Sequence, residues 1–296
     1  MSKAIVTLLI GEKIKKLWKL YCADNWTKYA EKHGYDIIVI DQILDDSQRA
    51  KDRTVIWQKC LILEHPKVSQ YDRVVWIDAD IAINYHTAPC IVSQVPIDSI
   101  GGTNAWHSPD AITYDEVWKR TNQYTELHKF PSHGYKSTYY TECGLSAVSD
   151  DVIQAGVLVL TTNLHSKLFR EVYDTYEKTI DKNATHLIDE MRALSHRIFL
   201  KNDYKVYWID YKFNFLTESF KILNYPQLFP KSFLGRIIKF VLFKLSYIGY
   251  VSTSEKAINA AFLQSYFLHF AGNGKEIKFV DTSISSFEDY IKKYNI

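Results

Sequence analysis

Two unbroken apolar runs near the amino terminus, Ala4–Ile10 and the stretch Asp36-Ile-Ile-Val-Ile40, constrain this chain more than any other feature. Each has the length of a strand and offers no polar face, as expected of a strand covered on both sides. Between them Ile14, Leu17, Trp18, Tyr21, Cys22 and Tyr29 recur at helical spacing, and Gly34 marks a stop. Strand, helix and strand of these lengths predict a βαβ unit, and with it a parallel sheet. Further runs at Arg73–Ile77 and Val152–Leu160 predict two more buried strands, Tyr204–Ile209 a short one, and Phe262–Phe270 another ending at His269. Helices are expected over Thr54–Glu64, around Leu168–Tyr176, and around Leu187, Met191, Leu194 and Ile198. The stretch Ser108–Ser149 is polar, aromatic and weakly periodic, which predicts loop and short helix.

The composition narrows the function classes. With 296 residues and 47% hydrophobic content the chain can bury a large core, so disorder is a poor description. A net charge of +2 gives no reason to expect a nucleic-acid partner. The aromatic content of 15% serves core filling before ligand stacking. Cys22, Cys60, Cys90 and Cys143 form no CxxC pair, which argues against a zinc ribbon and for reduced, structural thiols. Ala4–Ile10 is too short to span a membrane, and no signal peptide is visible, so a cytoplasmic location is the expectation.

The segment Val74-Val-Trp-Ile-Asp78-Ala-Asp80 carries the strongest chemical signal. A buried strand delivers two carboxylates, two positions apart, to its carboxyl end, the edge of an open α/β sheet where ligands bind. An extended chain there would point both the same way. Like charges at an apolar strand end are costly unless a cation neutralises them, and a hard divalent ion with oxygen ligands can also grip a diphosphate. The alternative is a pair of solvated turn residues.

A second constellation is Phe267-Leu-His269-Phe-Ala-Gly272-Asn-Gly274-Lys275. A neutral imidazole at a strand end can complete a coordination sphere begun by Asp78 and Asp80, although a lone histidine on an apolar strand is more often a core residue. Gly272 and Gly274 allow close approach to a phosphate, and Lys275 offers it a charge. Gln154-Ala155-Gly156 opens a strand with small residues that admit a sugar near the backbone, or is an ordinary strand start. Asp189 and Glu190 place two carboxylates at the start of a helical pattern, to orient a hydroxyl or to complement the helix dipole.

In this order these residues resemble the retaining GT-A glycosyltransferases. The group most similar comprises the fungal and plant galactosyl-, mannosyl- and xylosyltransferases, with glycogenin and the bacterial lipopolysaccharide galactosyl- and glucosyltransferases more distant. The resemblance runs from about Ala4 to Ile277 in short islands: Trp57-Gln-Lys59 before the Asp78-Ala-Asp80 strand, Gln154-Ala-Gly-Val157, Asp189-Glu190, Trp208 to Asn214, and His269-Phe-Ala-Gly272. It implies a Rossmann-like nucleotide-sugar-binding sheet with a DxD motif and a C-terminal helical extension. Asp78, Asp80 and His269 would bind Mn2+ or Mg2+, and Thr7 and Leu8 would line the nucleotide pocket. Lys59 and Lys275 would meet donor sugar or diphosphate. Gln154, Asp189 and Glu190 would face the transferred sugar, and Ser108–Ser149 would surround an acceptor. A UDP-sugar, with a hexose such as galactose or glucose, is the implied donor, and a glycan or glycolipid the implied acceptor.

The chain departs from the family in Gln154, where Asn is usual, and in Glu190, where Gln is common. It also lacks the membrane anchor of eukaryotic members, which suggests a soluble bacterial or viral version. The expected organisation is a catalytic core over 1–227, a basic amphipathic segment over 228–251, and a part over 252–296 that completes the site. Within 232–251, Arg236, Lys239 and Lys244 share one sector of a strongly apolar helix, a pattern suited to peripheral contact with an anionic membrane or to packing against a second subunit. A sugar-nucleotidyltransferase finds no support, because no Gly-rich phosphate loop follows the first strand beyond Gly11, and two further rival classes are open on the residues. A haloacid-dehalogenase-like phosphatase also uses Asp-x-Asp after an apolar strand, but it favours Thr or Val where Ala82 stands. A non-catalytic carbohydrate-binding module is the other.

Overall fold

In a computed structural model of the protein, residues 1–128, 138–177, 188–229, 248–272 and 274–296 are described, with 235, 237, 238 and 241 between them. Leu187 and most of 232–251, including Arg236, Lys239 and Lys244, lie outside the described residues. Among the described residues no helix is long and apolar enough to cross a membrane.

The strands of the main sheet are β1 (Lys3–Leu8), β2 (Asp36–Ile40), β3 (Arg73–Ile77), β5 (Ser99–Asn104), β6 (Ile153–Thr161) and β7 (Lys205–Trp208). They lie in the order β2-β1-β3-β6-β5-β7. The pairs β1–β2, β1–β3 and β5–β7 are parallel, whereas β6 runs antiparallel to both β3 and β5. The expected βαβ unit is therefore present inside a mixed sheet. Helices cover both faces, so β1, β3 and β6 read as continuous apolar runs. A second sheet of three short strands, β4 (Ile81–Ile83), β9 (Phe267–His269) and β8 (Phe215–Leu216), stands at the carboxyl end of β3.

The single helix expected before Gly34 is two. The first is α1 (Glu12–Tyr21) and the second α2 (Ala23–His33), parted at Cys22. The break lets α2 pack under the second sheet: Trp26 Nε1 donates to Ile81 O at 2.8 Å, and Ile83 N donates to Asn25 Oδ1 at 2.8 Å. Between β2 and β3 come α3 (Gln48–Asp52) and a 3-10 helix over Val55–Glu64, the latter with Trp57–Leu63 all buried. Within the stretch expected to be mostly loop lies α4 (Ala111–His128), a helix of 18 residues. Then follow α5 (Thr162–Thr175), α6 (Glu190–Lys201), α7 (Thr217–Asn224), α8 (Ile248–Gln264) and α9 (Phe287–Tyr294). Phe262 lies within α8 and only Phe267–His269 is strand, since a short apolar run does not distinguish buried helix from buried strand.

Strand β5 gives no apolar alternation to read. Its sequence Ser-Ile-Gly-Gly-Thr-Asn is buried throughout because the neighbours press on the glycines. A Cβ at Gly101 would stand 2.6 Å from Val95 Cγ2, and one at Gly102 2.7 Å from Ile153 Cγ2. All four cysteines are free thiols.

Candidate active site

Strand β3 ends at Ile77, and Asp78-Ala79-Asp80 turns the chain into β4. The two carboxylates thus leave a turn rather than an extended strand, yet they converge. The amide of Asp78 donates to Gly156 O at 2.9 Å, tying the turn to the start of β6. Strand β9 pairs with β4 so that His269 faces Ile81, and Phe270 N donates to Asp80 O at 3.1 Å. This register brings the imidazole over the turn. His269 Nε2 lies 3.3 Å from Asp80 Oδ1 and 3.9 Å from Asp78 Oδ2. One ligand atom from each of Asp78, Asp80 and His269 lies within 4.8 Å of the others.

The neighbours decide which atoms are free. Asp78 Oδ1 accepts from Trp76 Nε1 at 2.7 Å and sits 3.2 Å from Lys59 Nζ, which leaves Oδ2 for the cluster. His269 Nδ1 is 2.8 Å from Asn214 Oδ1; an amide oxygen only accepts, so Nδ1 carries the hydrogen and Nε2 the lone pair when the ring is neutral. Burial disfavours a charged His269, but the bond to Asp80 outweighs it and raises the imidazole above its ordinary value. Burial likewise opposes ionisation of Asp80, and the same bond overcomes it and lowers that carboxyl.

Lys59 is 4% exposed, and its ammonium bonds Ala155 O at 2.8 Å and Glu190 Oε1 at 2.9 Å besides facing Asp78. Burial alone would strip its proton. Asp78, then Glu190, outweigh that and hold it charged, above its ordinary value. These acceptors surround the ammonium that the family resemblance assigns to donor sugar or diphosphate. Lys59 holds one carboxylate of the turn and one of α6 at fixed positions. Asp78 and Glu190 share this one ammonium, and Asp80 pairs with His269. Two carboxylate oxygens and an imidazole nitrogen form a donor set that could hold a metal ion.

Beside Asp80 opens a cleft of about 620 Å³, lined by Ile10–Ile14, Leu17, Gly272, Gly274 and Lys275. Gly272 and Lys275 line this cleft together with Asp80. Thr7 and Leu8 are not among its lining residues: Thr7 is fully buried, and Leu8 packs against the core. The β1–α1 loop just beyond them forms that wall. The start of α1, with Glu12 and Lys13, lines the cleft along with Lys275.

Asp189 caps α6, its Oδ1 accepting from Arg192 N at 2.7 Å. Burial, then the charge of Glu190, raise its carboxyl above the ordinary range. Gln154 Oε1 accepts from Thr103 Oγ1 at 3.1 Å, so its amide is anchored across the β5–β6 pair. Trp76 has no role in the sequence reading, yet its Nε1 donates to Asp78 Oδ1. Gly156, read in the sequence as one of the small residues that admit a sugar near the backbone, also makes room for His269. A Cβ there would lie 2.7 Å from His269 Cε1 and 3.1 Å from Asn214 Nδ2, so only glycine lets the imidazole and its amide partner settle.

No protein-family model matches the chain, and no curated protein sequence matches it. Among solved structures it is similar to a glycosyltransferase involved in the glycosylation of the major capsid of PBCV-1, at 11% identity and a TM-score of 0.50, over 94% of this chain and 100% of that one. It also aligns with the WbbM bifunctional glycosyltransferase in its apo form, at 12% identity and a TM-score of 0.49. That alignment covers 99% of this chain and 51% of WbbM, so the chain spans about half of WbbM's length. The mixed α/β fold is thus one shared with a glycosyltransferase structure.

Proposed function

We propose that this chain is a GT-A-type glycosyltransferase. It would move a hexose from a UDP-sugar to a hydroxyl of a saccharide or lipid-linked saccharide, with retention of configuration. The observation that carries the reading is the meeting of Asp78, Asp80 and His269 at the carboxyl end of β3, on the edge of the cleft that holds Lys275 and the start of α1. The shared fold supports sugar transfer in general. The family resemblance of the sequence supports UDP, a hexose and retention.

Asp78 Oδ2, Asp80 and His269 Nε2 are the atoms that would hold Mn2+ or Mg2+. Such an ion would supply charge stabilisation to the departing diphosphate. The remaining work belongs to the chain. Lys275 and the first turn of α1 bind and orient the anionic donor, Lys59 keeps Asp78 and Glu190 in place, and Asn214 sets the tautomer of His269. By the family resemblance, Asp189 would be the candidate nucleophile if retention proceeds through a covalent intermediate. Attack from the leaving-group face would need no protein base.

Hydrolysis of UDP-galactose and UDP-glucose with added Mn2+, with and without saccharide acceptors, tests the reading. The expected result is metal-dependent release of UDP that Asp80→Ala abolishes while the protein stays folded. Turnover by Asp80→Ala close to wild type under saturating Mn2+ would overturn the metal assignment.

A further inference from the structure

A second cavity, of about 140 Å³, opens where Ser108–Thr113 meets Tyr211–Asn224 and Gln264. Building on the sugar-transfer reading, we propose that it is the acceptor subsite and that it takes an uncharged sugar ring. Its place in the fold comes first. Leu216, part of its wall, lies in β8 beside His269 of β9, and adjoining strands stand about 4.8 Å apart. Thr217 Oγ1 also donates to His269 O at 2.8 Å. The cavity therefore begins one strand's width from the backbone of a candidate metal ligand.

Its chemistry separates it from the first cleft. That cleft contains Glu12, Lys13, Asp80 and Lys275, whereas no charged side chain lines this one. The hydroxyls of Ser108, Tyr211 and Ser219 make no hydrogen bond to another described residue. The amide of Gln264 spends its N–H on Ala260 O at 3.3 Å, which leaves its oxygen to accept. Tyr211 and Phe215 place ring centroids 5.8 Å apart at the apolar side. A pyranose matches this division, with a C–H face for aromatic rings and a rim of hydroxyls for neutral donors and acceptors. A phosphate or carboxylate would lose water there without gaining a counter-charge. The volume is several times the ~30 Å³ share of one water and below the ~300 Å³ at which sites for larger ligands begin, which leaves room for about one ring.

Saturation-transfer NMR on the full chain, without metal or nucleotide, tests the assignment. The probes are glucose, galactose, mannose, lactose and maltose, set against glucuronic acid, glucose 6-phosphate and octanoate. Neutral sugars should receive saturation. Tyr211→Ala should weaken their binding about five- to tenfold, the loss of one ring contact. Gln264→Ala, at an exposed position, should weaken it in a protein whose folding is not in question. Both variants should bind Mn2+ and UDP as wild type does. No transfer to neutral sugars at tens of millimolar would overturn the proposal, as would preference for the charged or acyl probes, or unchanged affinity in both variants. Sugar binding that survives in a wild-type protein unable to release UDP from UDP-sugars would overturn the transferase reading and leave the subsite standing.

Discussion

Replacing Gly156 by alanine probes the site through one methyl group. The residue lies within β6, where alanine is readily accommodated by the backbone, so the perturbation is the side chain itself. The added Cβ would stand 2.7 Å from Cε1 and 2.8 Å from Nδ1 of His269, against about 3.5–4.0 Å for a comfortable contact. The backbone at 156 is held by the bond from Asp78 N to its carbonyl, so it cannot retreat without dragging the turn. The imidazole must therefore move by about 1 Å. That shift breaks the 2.8 Å bond to Asn214 and changes the 3.3 Å approach of Nε2 to Asp80. Loss of an orienting partner commonly costs about 10- to 100-fold in metal affinity, or about 1.4–2.7 kcal/mol. Overpacking adds a stability loss of about 1–3 kcal/mol. Titration calorimetry with Mn2+ reads the first effect and urea denaturation the second. Adding His269→Ala to Gly156→Ala removes the clash, so the two stability losses should be strongly non-additive. Wild-type Mn2+ affinity in the folded single variant would refute the reasoning.

Two other outcomes follow from the same structure. Lys59→Met leaves Asp78 and Glu190 without their shared counter-charge and should cost about 3–5 kcal/mol in urea unfolding; a loss below 1 kcal/mol would show that the ammonium is dispensable. His165 is buried, and its Nδ1 accepts from Thr161 N at 2.8 Å; burial first, then Arg73, lower its imidazole to about 4 from an ordinary 6.5. The unfolded chain therefore takes up a proton between those values that the folded chain refuses. Stability from this group is present above pH 6.5, falls by about 3 kcal/mol as pH drops toward 4, and is flat below that. His165→Gln should remove that part of the slope in unfolding measured at pH 7, 5.5 and 4, and an unchanged slope would exclude His165 as its source.

The sequence by itself determined the strands buried on both faces and the presence of two carboxylates at the end of one of them. Ala4–Ile10 and Arg73–Ile77 are legible because such strands must be apolar along their whole length whatever lies beside them, whereas Asp36–Ile40 is an edge strand, with only Ile40 buried. The Asp78-Ala-Asp80 segment is legible for the complementary reason, since charge directly after such a run needs a cation or water. Tertiary structure decided everything that depends on which distant segments meet. The antiparallel course of β6 leaves no trace in its own residues, and β5 has no pattern because its glycines answer to Val95 and Ile153. His269 joins the carboxylates only through the β4–β9 register, and Lys59 is buried among Ala155, Asp78 and Glu190 only because those distant segments meet. A residue type reports what a side chain can do. The partner it does it with is set by packing between segments far apart in the chain, where hydrogen-bond geometry and excluded volume leave one arrangement.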